Sequence, residues 1–269
     1  VVTPEKEYSI PGGAGNVATN LNAMGADITC IGFVGNDNWG EKLLSILDTK
    51  GINIQGIEII DNHSTTVKQR IYSDGKQVAR LDTEKIIDWQ PNSKIKHNYG
   101  AYDIVILSDY NKGTLNHSWF NMKNFNTVIV DPKKNNFNYY SQANIITPNL
   151  NELKRACKLE IDSNQSLVNA CNHLIAQCNF QYIVTKKGAD GMTVVGNNNF
   201  VKHIAAHPVE NPDVTGAGDT VIAALSLAYA KTGDIEVSAK IANVAASIVV
   251  GKLGTTVVNI DELGKKVSI

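Results

Sequence analysis

Several features that the sequence lacks each exclude a class of protein. No apolar run approaches the roughly 18 residues of a membrane-spanning helix, and the first ten residues have no signal-peptide character. The 269 residues carry a net charge of only −1, so neither a nucleic acid nor a membrane is an expected partner. The four cysteines show no C-x-x-C or zinc spacing. We interpret them as reduced packing residues of a cytoplasmic protein.

Strand-like and helix-like runs alternate along most of the chain. Short apolar runs that end in polar residues predict strands at 27–35, 102–109, 126–133, 144–149 and 182–188. Helical periodicity is found at 39–51, 166–178, 217–231 and 236–254. This alternation predicts a mostly parallel sheet covered by helices. Because ligands bind beyond the carboxyl ends of such strands, we expect the polar strand tips to gather at one edge: Asp109, Asp131, Lys133, Asn149, Thr185 and Lys186.

Two segments fall outside this alternation and are predicted to form a small sheet of their own. Residues 1–10 are strand-like, and residues 65–85 have the pattern of a hairpin with Asp74-Gly75 as its turn. With its strands placed at about 1–10 and 58–85, this sheet is expected to be a lid that excludes water. Exposed edge strands often pair with another copy, which predicts a homodimer through the lid.

The segment DVTGAGDT, residues 213–220, stands before an apolar helical run. The free amides and the dipole of a helix N-terminus favour an anion, and glycine lets a phosphate come close. Asp219 beside a phosphate is costly unless it accepts a proton from an attacking hydroxyl, which is the arrangement of phosphoryl transfer. Taken alone, the segment is explained as well by a helix cap at Asp213 or Thr215, with Asp219 complementing the dipole.

A glycine cluster, PGGAGNVATNLNAMGA at 11–26, also opens a predicted helix. No strand runs into it, so it is a weak dinucleotide signature and a dehydrogenase is excluded. Its Gly12, Gly13 and Asn16 could contact a substrate, and a tight turn with close helix packing is the structural alternative.

Two other motifs have a functional and a structural interpretation. Asn149 and Glu152 have the spacing of a capping box and are also suitable ligands for Mg²⁺. Lys186 and Lys133 could bind phosphates or could be solvated loop lysines. The local sequence leaves both alternatives open.

Taken in order, these motifs resemble those of the ribokinase-like (PfkB) carbohydrate kinases over nearly the whole chain. GGAGNVATNLNAMGA resembles the first signature of that family, TPNLNEL its metal motif, VTKKGADGM its nucleotide loop, and DVTGAGDTVIAAL its anion hole with the catalytic base. TVKQRIYSDGKQVARLDTEK, VILSDYNKGTL and ANVAASIVVGKLGTTVV look like members that phosphorylate D-glycero-D-manno-heptose 7-phosphate, in the nucleotide-activated heptose pathway of lipopolysaccharide core synthesis.

The resemblance implies a single ribokinase-like kinase domain over residues 1–269, with a three-layer α/β/α fold and a small β-sheet lid. It implies ATP and Mg²⁺ as cofactors, with a monovalent cation as a further candidate. Members of the family normally begin with a strand that ends in an aspartate bound to sugar hydroxyls. The present sequence starts after that point, so we expect this strand to be missing. A second departure is Lys133-Lys134, which replaces the more usual Lys-Gly.

The resemblance also implies a role for each candidate residue. Asp219 would take the proton of the anomeric C1 hydroxyl, while the backbone of Gly216, Ala217 and Gly218 holds the transferring phosphoryl group. The remaining roles are Mg²⁺ binding by Asn149 and Glu152, ATP binding by Thr185, Lys186, Gly188 and Asn243, and sugar binding by Gly12, Gly13, Asn16, Asp109 and Lys133. Because a phosphorylated sugar needs additional cations, the candidates for its 7-phosphate are Lys68, Arg70 and Arg80 on the hairpin.

Two other hypotheses are kept. One is a kinase of the same fold for ribose, fructose or a nucleoside, although an uncharged substrate has no use for three hairpin cations. The other is a non-catalytic nucleotide or sugar-phosphate binding protein, which would be marked by loss of the base, whereas Asp219 is present.

Overall fold

The computed structural model describes residues 5–73, 76–91, 102–116 and 119–267. The helices within these ranges are α1 Ala14–Ala23, α2 Asn38–Thr49, α3 Leu150–Cys157, α4 Asn164–Cys178, α5 Ala217–Thr232, α6 Ile235–Val249 and α7 Ile260–Val267. The strands are β1 Thr29–Gly35, β2 Asn53–Ile60, β3 Val67–Ser73, β4 Lys76–Thr83, β5 Val105–Ser108, β6 Val128–Asp131, β7 Ile145–Ile146, β8 Tyr182–Lys186, β9 Met192–Gly196 and β10 Phe200–Ile204.

The main sheet has the order β10-β9-β8-β7-β6-β5. The four strands β5 to β8 are parallel, and β9 and β10 are antiparallel additions at one edge. Neighbouring residues of β6 face opposite cores: Ile129 packs with α1, α5 and α6, whereas Val128 and Val130 pack with α4. Both faces of the sheet are therefore covered, which is why its strands are continuous apolar runs. The predicted three-layer α/β/α class is confirmed.

Two smaller sheets accompany the main one. The first is the parallel pair β1 and β2, in which Gly32 lies opposite Ile57. The second is the predicted hairpin, formed by β3 and β4, and among the described residues these strands pair only with each other. The side chains of β4 are exposed along its whole length. The hairpin therefore projects from the main domain, as a lid would.

Parts of the predicted lid were wrong. Residues 5–10 form no strand, and residues 1–4 and the turn at Asp74-Gly75 lie outside the described residues. The segment 58–60 belongs to β2 and pairs with β1, where Glu58 lies opposite Phe33 and Ile60 opposite Gly35.

Other boundaries were also overextended, and some elements were missed. Helix α6 ends at Val249 rather than 254, since glycines at 251 and 254 follow it. Strand β7 has only two residues, because the cap of α3 begins at Asn149. The prediction reached β2 only at 58–60, as part of the lid, and no prediction covered β9, β10 or α7. All four cysteines are free. None of the helices described is both long enough and apolar enough to cross a membrane.

Candidate active site

The carboxyl ends of β6 and β8 meet at one edge of the sheet. Lys186, the last residue of β8, places its Nζ 2.5 Å from Oδ1 of Asp131, the last residue of β6. The Thr147 hydroxyl donates to the same oxygen at 3.1 Å. Lys186 also forms a parallel bridge with Asn149, so the start of α3 lies against the same edge. These contacts put a carboxylate, an ammonium and a helix N-terminus side by side.

Helix α5 points its N-terminus at this edge. Gly216 is its N-cap, in the left-handed region at φ 77°, and no side chain caps the helix. A Cβ at Gly216 would lie only 3.0 Å from Asn16 Nδ2 and 3.1 Å from the methyl carbon of Thr255, so glycine is needed for both its conformation and its space. The amide of Ala217 donates to Val214 O at 3.2 Å.

Two amides in the first turn of α5 remain available to a ligand. Among the described residues, the amides of Gly218 and Asp219 have no acceptor. They lie where the partial positive charge of the helix dipole is concentrated, so this turn is suited to an anion.

The structural alternative for this segment, a helix cap at Asp213 or Thr215, is not what forms. The Asp213 carboxylate accepts hydrogen bonds from the amide of Thr215 at 3.0 Å and from that of Gly254 at 2.7 Å. The hydrogen bonds from Thr215 and then from Gly254 lower the pKa of Asp213. Asp213 thus ties the loop before α5 to the segment after α6, and it leaves the helix N-terminus open.

Asp219 is buried, with 8% of its surface exposed, and neutral donors hold both of its oxygens. Asn16 Nδ2 donates to Oδ2 at 2.7 Å, and the Tyr110 hydroxyl donates to Oδ1 at 2.5 Å. A further chain of hydrogen bonds positions Asn16: Asn20 Nδ2 donates to Asn16 Oδ1 at 3.2 Å, and the Thr220 hydroxyl donates to Asn20 at 3.0 Å. The carboxylate is therefore fixed by α1, α5 and the loop after β5.

The environment of Asp219 suits a proton acceptor. Burial raises its pKa, and the nearby Asp131 charge raises it further. The hydrogen bonds from Tyr110 and Asn16 and the charge of Lys186 act in the opposite direction. A carboxylate with a raised pKa in a polar cleft is a candidate general base.

Lys186 borders the first turn of α5. A Cβ at Gly218 would lie 3.6 Å from the Lys186 ammonium, so this cation stands close to the free amides. At the next turn of the chain, Gly188 adopts φ 62° and has open space where a Cβ would stand. The backbone here can approach a ligand closely, which suits a nucleotide phosphate.

The capping box at the start of α3 is present. The Asn149 side chain accepts from the Glu152 amide at 2.8 Å, and Glu152 Oε2 accepts from the Asn149 amide at 2.9 Å. Glu152 Oε1 takes no part in the box and lies 3.9 Å from Lys133 Nζ. The described residues contain no cluster of three or more histidine, cysteine, aspartate or glutamate side chains able to hold a metal ion.

Two of the expected ATP ligands lie with their side chains in the protein interior. Thr185 has no exposed surface and its hydroxyl lies 3.7 Å from Cys171 Sγ, because strand alternation turns it away from the face of Lys186. Asn243 is 5% exposed and its Nδ2 donates to Ala205 O at 2.7 Å, beside the end of β10. Asn243 thus fixes the loop after β10 against α6.

The glycine cluster lies next to the base. Gly13 precedes α1 at φ 54°, and a Cβ there would stand 3.3 Å from the ring of Tyr110. At Gly12 a Cβ would meet nothing within 4 Å. The cluster brings the backbone under Tyr110 and starts the helix that carries Asn16.

Asp109 does not face the cleft as expected. Its Oδ2 accepts from the Tyr140 hydroxyl at 2.6 Å and lies 3.4 Å from Lys134 Nζ, while its Oδ1 accepts from the Asn111 amide at 2.5 Å. It is 6% exposed. These contacts shape the loop after β5, and it is the next residue, Tyr110, that reaches Asp219.

The three cations lie on one face of the β3–β4 hairpin, but two of them are already paired. Lys68 Nζ lies 2.7 Å from Asp82 and 2.5 Å from Glu84, and Arg80 Nε lies 2.9 Å from Asp82. Lys112, from the loop after β5, also contacts Glu84. Arg70, opposite Arg80, has no ion-pair partner within 4.0 Å in the described ranges, although its charge helps to lower the pKa of Asp213.

Two residues around Asp219 and Lys186 had no assigned role in the sequence-based prediction. They are Tyr110 and Asp131. Asp131 was recognised only as a polar strand tip. The positive charge of Lys186, at another strand tip of the same edge, was the signal that could have indicated their ion pair. Tyr110 follows Asp109 in the segment SDYNKG. No local pattern links it to a helix more than a hundred residues later.

The chain belongs to the pfkB family of carbohydrate kinases, whose model matches residues 3–262. The bifunctional protein HldE of Aliarcobacter butzleri is 34% identical over 98% of this chain and 57% of the relative. The bifunctional protein HldE of Coxiella burnetii (strain Dugway 5J108-111) is 36% identical with the same two coverages. The chain therefore spans little more than half the length of these curated relatives. The resemblance to carbohydrate kinases is confirmed, and the chain is a sugar kinase.

Solved structures agree on the fold. The ribokinase of Thermotoga maritima gives a TM-score of 0.80 at 20% identity, covering 100% of this chain and 91% of that one. Phosphofructokinase-2 of Escherichia coli in complex with potassium gives a TM-score of 0.76 at 17% identity, covering 100% of this chain and 92% of that one. At these identities the likeness shows the ribokinase-like fold alone.

Proposed function

We propose that this chain transfers the γ-phosphoryl group of ATP to the anomeric C1 hydroxyl of D-glycero-D-manno-heptose 7-phosphate. The products are the 1,7-bisphosphate and ADP. The 1,7-bisphosphate would serve the synthesis of nucleotide-activated heptose and of the lipopolysaccharide core in the cytoplasm. The observation that carries the reaction type is a buried carboxylate, Asp219, fixed in the same helical turn as two free amides. The matches to HldE proteins over nearly the whole chain support the choice of sugar within the family.

Asp219 is the proposed general base. It accepts the proton of the C1 hydroxyl, and the C1 oxygen forms the new bond to the γ-phosphorus. The bond between that phosphorus and the β,γ-bridging oxygen breaks, and ADP leaves with the electron pair. The raised pKa of Asp219 brings the base closer to neutral pH than an exposed aspartate.

The charge of the transferring group is balanced by the protein on two sides. The Gly218 and Asp219 amides, together with the positive end of the α5 dipole, face the phosphoryl oxygens in this proposal. The Lys186 ammonium would share its charge between Asp131 and the nucleotide phosphates. Gly188 leaves room for those phosphates, and Asn243 would border the adenine through the loop that it fixes.

The sugar would occupy the space between the glycine cluster and the base. Gly12 and Gly13 directly precede α1, Gly13 lies against the Tyr110 ring, and Gly12 has open space beside it. Asn16 and Asp109 would act on the sugar mainly by holding the base and the loop after β5. Lys133 extends beyond the capping box of α3 and is half-exposed, within reach of a ligand.

The residues at the start of α3 fit Mg²⁺, a hard cation that keeps several waters and binds few carboxylates. Glu152 Oε1 is left over from the capping box, and Asp131 Oδ2 accepts no hydrogen bond among the described residues. These oxygens, with Asn149 beside them, would hold a hydrated ion against the ATP phosphates. Bound there, Mg²⁺ would neutralise developing charge on the β- and γ-phosphates.

A second candidate substrate class is an unphosphorylated sugar such as ribose or fructose. The observation in its favour is that Lys68 and Arg80 are already neutralised by Asp82 and Glu84. Binding of a 7-phosphate would have to displace these carboxylates or depend on Arg70.

The test is an ADP-release assay with Mg·ATP and four acceptors: heptose 7-phosphate, fructose 6-phosphate, ribose and adenosine. Turnover that is selective for heptose 7-phosphate is the expected result. Selective turnover of an unphosphorylated sugar would discard the substrate proposal and keep the chemistry. If the whole panel is silent, the heptose 7-phosphate proposal fails, and the acceptor of this sugar kinase lies outside the four compounds.

We further propose that residues 1–269 form one kinase domain and that two copies pair through the lid. Strand alternation puts Ile71 and Leu81 on one face of the hairpin, and both side chains are exposed. A second copy would cover this apolar face. Light scattering should report the mass of a dimer for the wild type and the mass of a monomer for Leu81→Asp. Leu159→Asp, an equally exposed leucine outside the lid, should leave the dimer intact, and a wild-type monomer would refute the pairing.

A further inference from the structure

We infer that Tyr110 is a positioning residue for Asp219, an assignment that rests on the proposed role of Asp219 as the base. Its hydroxyl is the second of the two donors that hold the carboxylate, 2.5 Å from Oδ1, while Asn16 holds Oδ2. With one donor on each oxygen, the two hydrogen bonds oppose rotation of the carboxylate about its terminal bond. A carboxylate has about four acceptor positions, so at least one remains for a substrate hydroxyl.

The loop after β5 fixes the phenol ring. One face of the ring lies against the backbone of Gly13, where a Cβ would come within 3.3 Å. On either side of Tyr110, Asp109 is held by Tyr140, and Gly113 is packed so tightly against Ile87 that a Cβ would overlap its carbonyl oxygen. Tyr110 as a residue is 37% exposed, yet its hydroxyl reaches a buried acid. Leaving an aromatic side chain partly exposed to water is unfavourable, and the hydrogen bond to Asp219 explains why Tyr110 is held in this position.

The loop also connects the base to the lid. Gly113 O accepts from the Trp89 amide at 3.3 Å, and Lys112 contacts Glu84 at the exit of the hairpin. Tyr110 therefore stands between the segment that leaves the lid and the carboxylate that would take the proton. A change in the position of this segment would alter the hydrogen bond from Tyr110 to Asp219 Oδ1.

Donation from the phenol stabilises the charged carboxylate, so it should hold the Asp219 pKa below the value that burial alone would give. The other groups facing Asp219 are Asn16 and Lys186, which also lower its pKa, and Asp131, which raises it. Asp219 in turn, after burial, raises the pKa of the Tyr110 phenol. Replacing Tyr110 by phenylalanine removes only the hydroxyl and should therefore raise the pKa of Asp219.

An opposite role for the same contact is that the phenol stands where the substrate hydroxyl belongs and must leave before it binds. The two roles predict different kinetics. A positioning hydroxyl supports kcat/KM, whereas a displaced one competes with the sugar and its removal should raise kcat/KM.

The experiment compares Tyr110→Phe with Tyr139→Phe, whose hydroxyl donates to a backbone carbonyl, that of Leu115, at 2.7 Å. With whichever acceptor the wild type phosphorylates, Tyr110→Phe should lower kcat/KM about ten-fold, the value of one hydrogen bond to a charged group. Its acid limb in the kcat/KM pH profile should move up by about one pH unit. Tyr139→Phe should change neither, and thermal melts should show that both variants fold.

A readout independent of turnover is the titration of aspartate carboxyls by ¹³C NMR, with the Asp219 signal assigned from Asp219→Asn. The signal should titrate at higher pH in Tyr110→Phe and as in the wild type in Tyr139→Phe. An unchanged titration, or an unchanged or higher kcat/KM with an unmoved acid limb, would overturn the inference. If Asp219→Asn keeps full turnover, the proposed role of Asp219 as the base fails instead, and the NMR titration still decides whether Tyr110 controls the ionisation of Asp219.

Discussion

The base and the lid show two different ways of holding a carboxylate. Asp219 is buried and bonded to two neutral donors, an amide and a phenol. Asp82 and Glu84 on the lid are partly exposed and bonded to the cations Lys68 and Arg80, with Lys112 also on Glu84. The first region holds a carboxylate with neutral hydrogen-bond donors, and the second balances its carboxylates with partly exposed cations.

The difference follows from what each region is proposed to do. A cationic side chain bonded directly to Asp219 would lower the pKa of its carboxyl group and weaken it as a base. Neutral donors hold the carboxylate in place with a smaller loss of basicity. Cations on the lid are screened by water and salt, so they can exchange their carboxylates for a phosphate at little cost. The comparison predicts large, specific effects at the base and smaller, exchangeable ones at the lid.

The largest expected effect is that of Asp219→Asn. The substitution keeps the size of the side chain and the two free amides of α5, and it removes the proton acceptor. We expect kcat to fall by roughly 10²- to 10⁴-fold, the usual contribution of a general base, while ATP binding measured by calorimetry stays nearly unchanged. Asp48→Asn, on the exposed side of α2, is the matched control and should retain full activity. Near-normal turnover of Asp219→Asn would disprove the catalytic assignment.

An intermediate effect is expected at the lid. Arg70→Ala should raise the KM for heptose 7-phosphate by about ten-fold or more, because a hydrogen bond to a charged group is worth about 1.5–3 kcal/mol. Lys68→Ala and Arg80→Ala should have smaller effects, since the carboxylates of Asp82 and Glu84 already compete for these cations. The kcat should change little, because the lid cations lie away from the transferred group in this proposal.

Two controls sharpen this prediction. Lys76→Ala, an exposed cation on the same hairpin, should leave KM unchanged. Asp82→Asn should lower KM by releasing Lys68 and Arg80. Equal KM values for the wild type and Arg70→Ala would remove the lid from phosphate recognition and favour the unphosphorylated sugar.

The same contrast explains how much the sequence could predict. The motif of residues 213–220 has a local pattern, glycines before an apolar helical run, and its helix N-terminus forms where expected. The capping box of Asn149 and Glu152 is local too, and it is present. Helices α2, α4, α5 and α6 and strands β5 to β8 were found because their periodicity is a property of consecutive residues.

Contacts between distant residues were not predictable in this way. Tyr110 and Asp219 are 109 residues apart, and only the order of strands and helices brings them together. The neutralisation of Lys68 was missed because its partners become neighbours through hairpin register, in which Lys68 lies opposite Asp82. Thr185 was placed at the site by its position at a strand end, but alternation turns its side chain toward Cys171.

The smallest expected effect is on stability, at Glu84→Gln. Glu84 contacts Lys68 and Lys112, but all three side chains are partly exposed, and exposed ion pairs typically contribute only about 0–1 kcal/mol. We expect the free energy of unfolding to change by less than about 1 kcal/mol, and the change to shrink further in high salt. Urea titrations followed by tryptophan fluorescence, at low and high NaCl, measure both quantities.

Asn16→Ala supplies the other arm of that comparison, because it leaves a buried carboxylate without one of its two donors. Its cost should be larger, roughly 1–3 kcal/mol, and should hardly depend on salt, since buried interactions are screened much less. A cost for Glu84→Gln that equals that of Asn16→Ala and is indifferent to salt would mean that the lid charges are fixed like the base. In that case Lys68 could not exchange Glu84 for a phosphate, and the 7-phosphate would have to be bound without it.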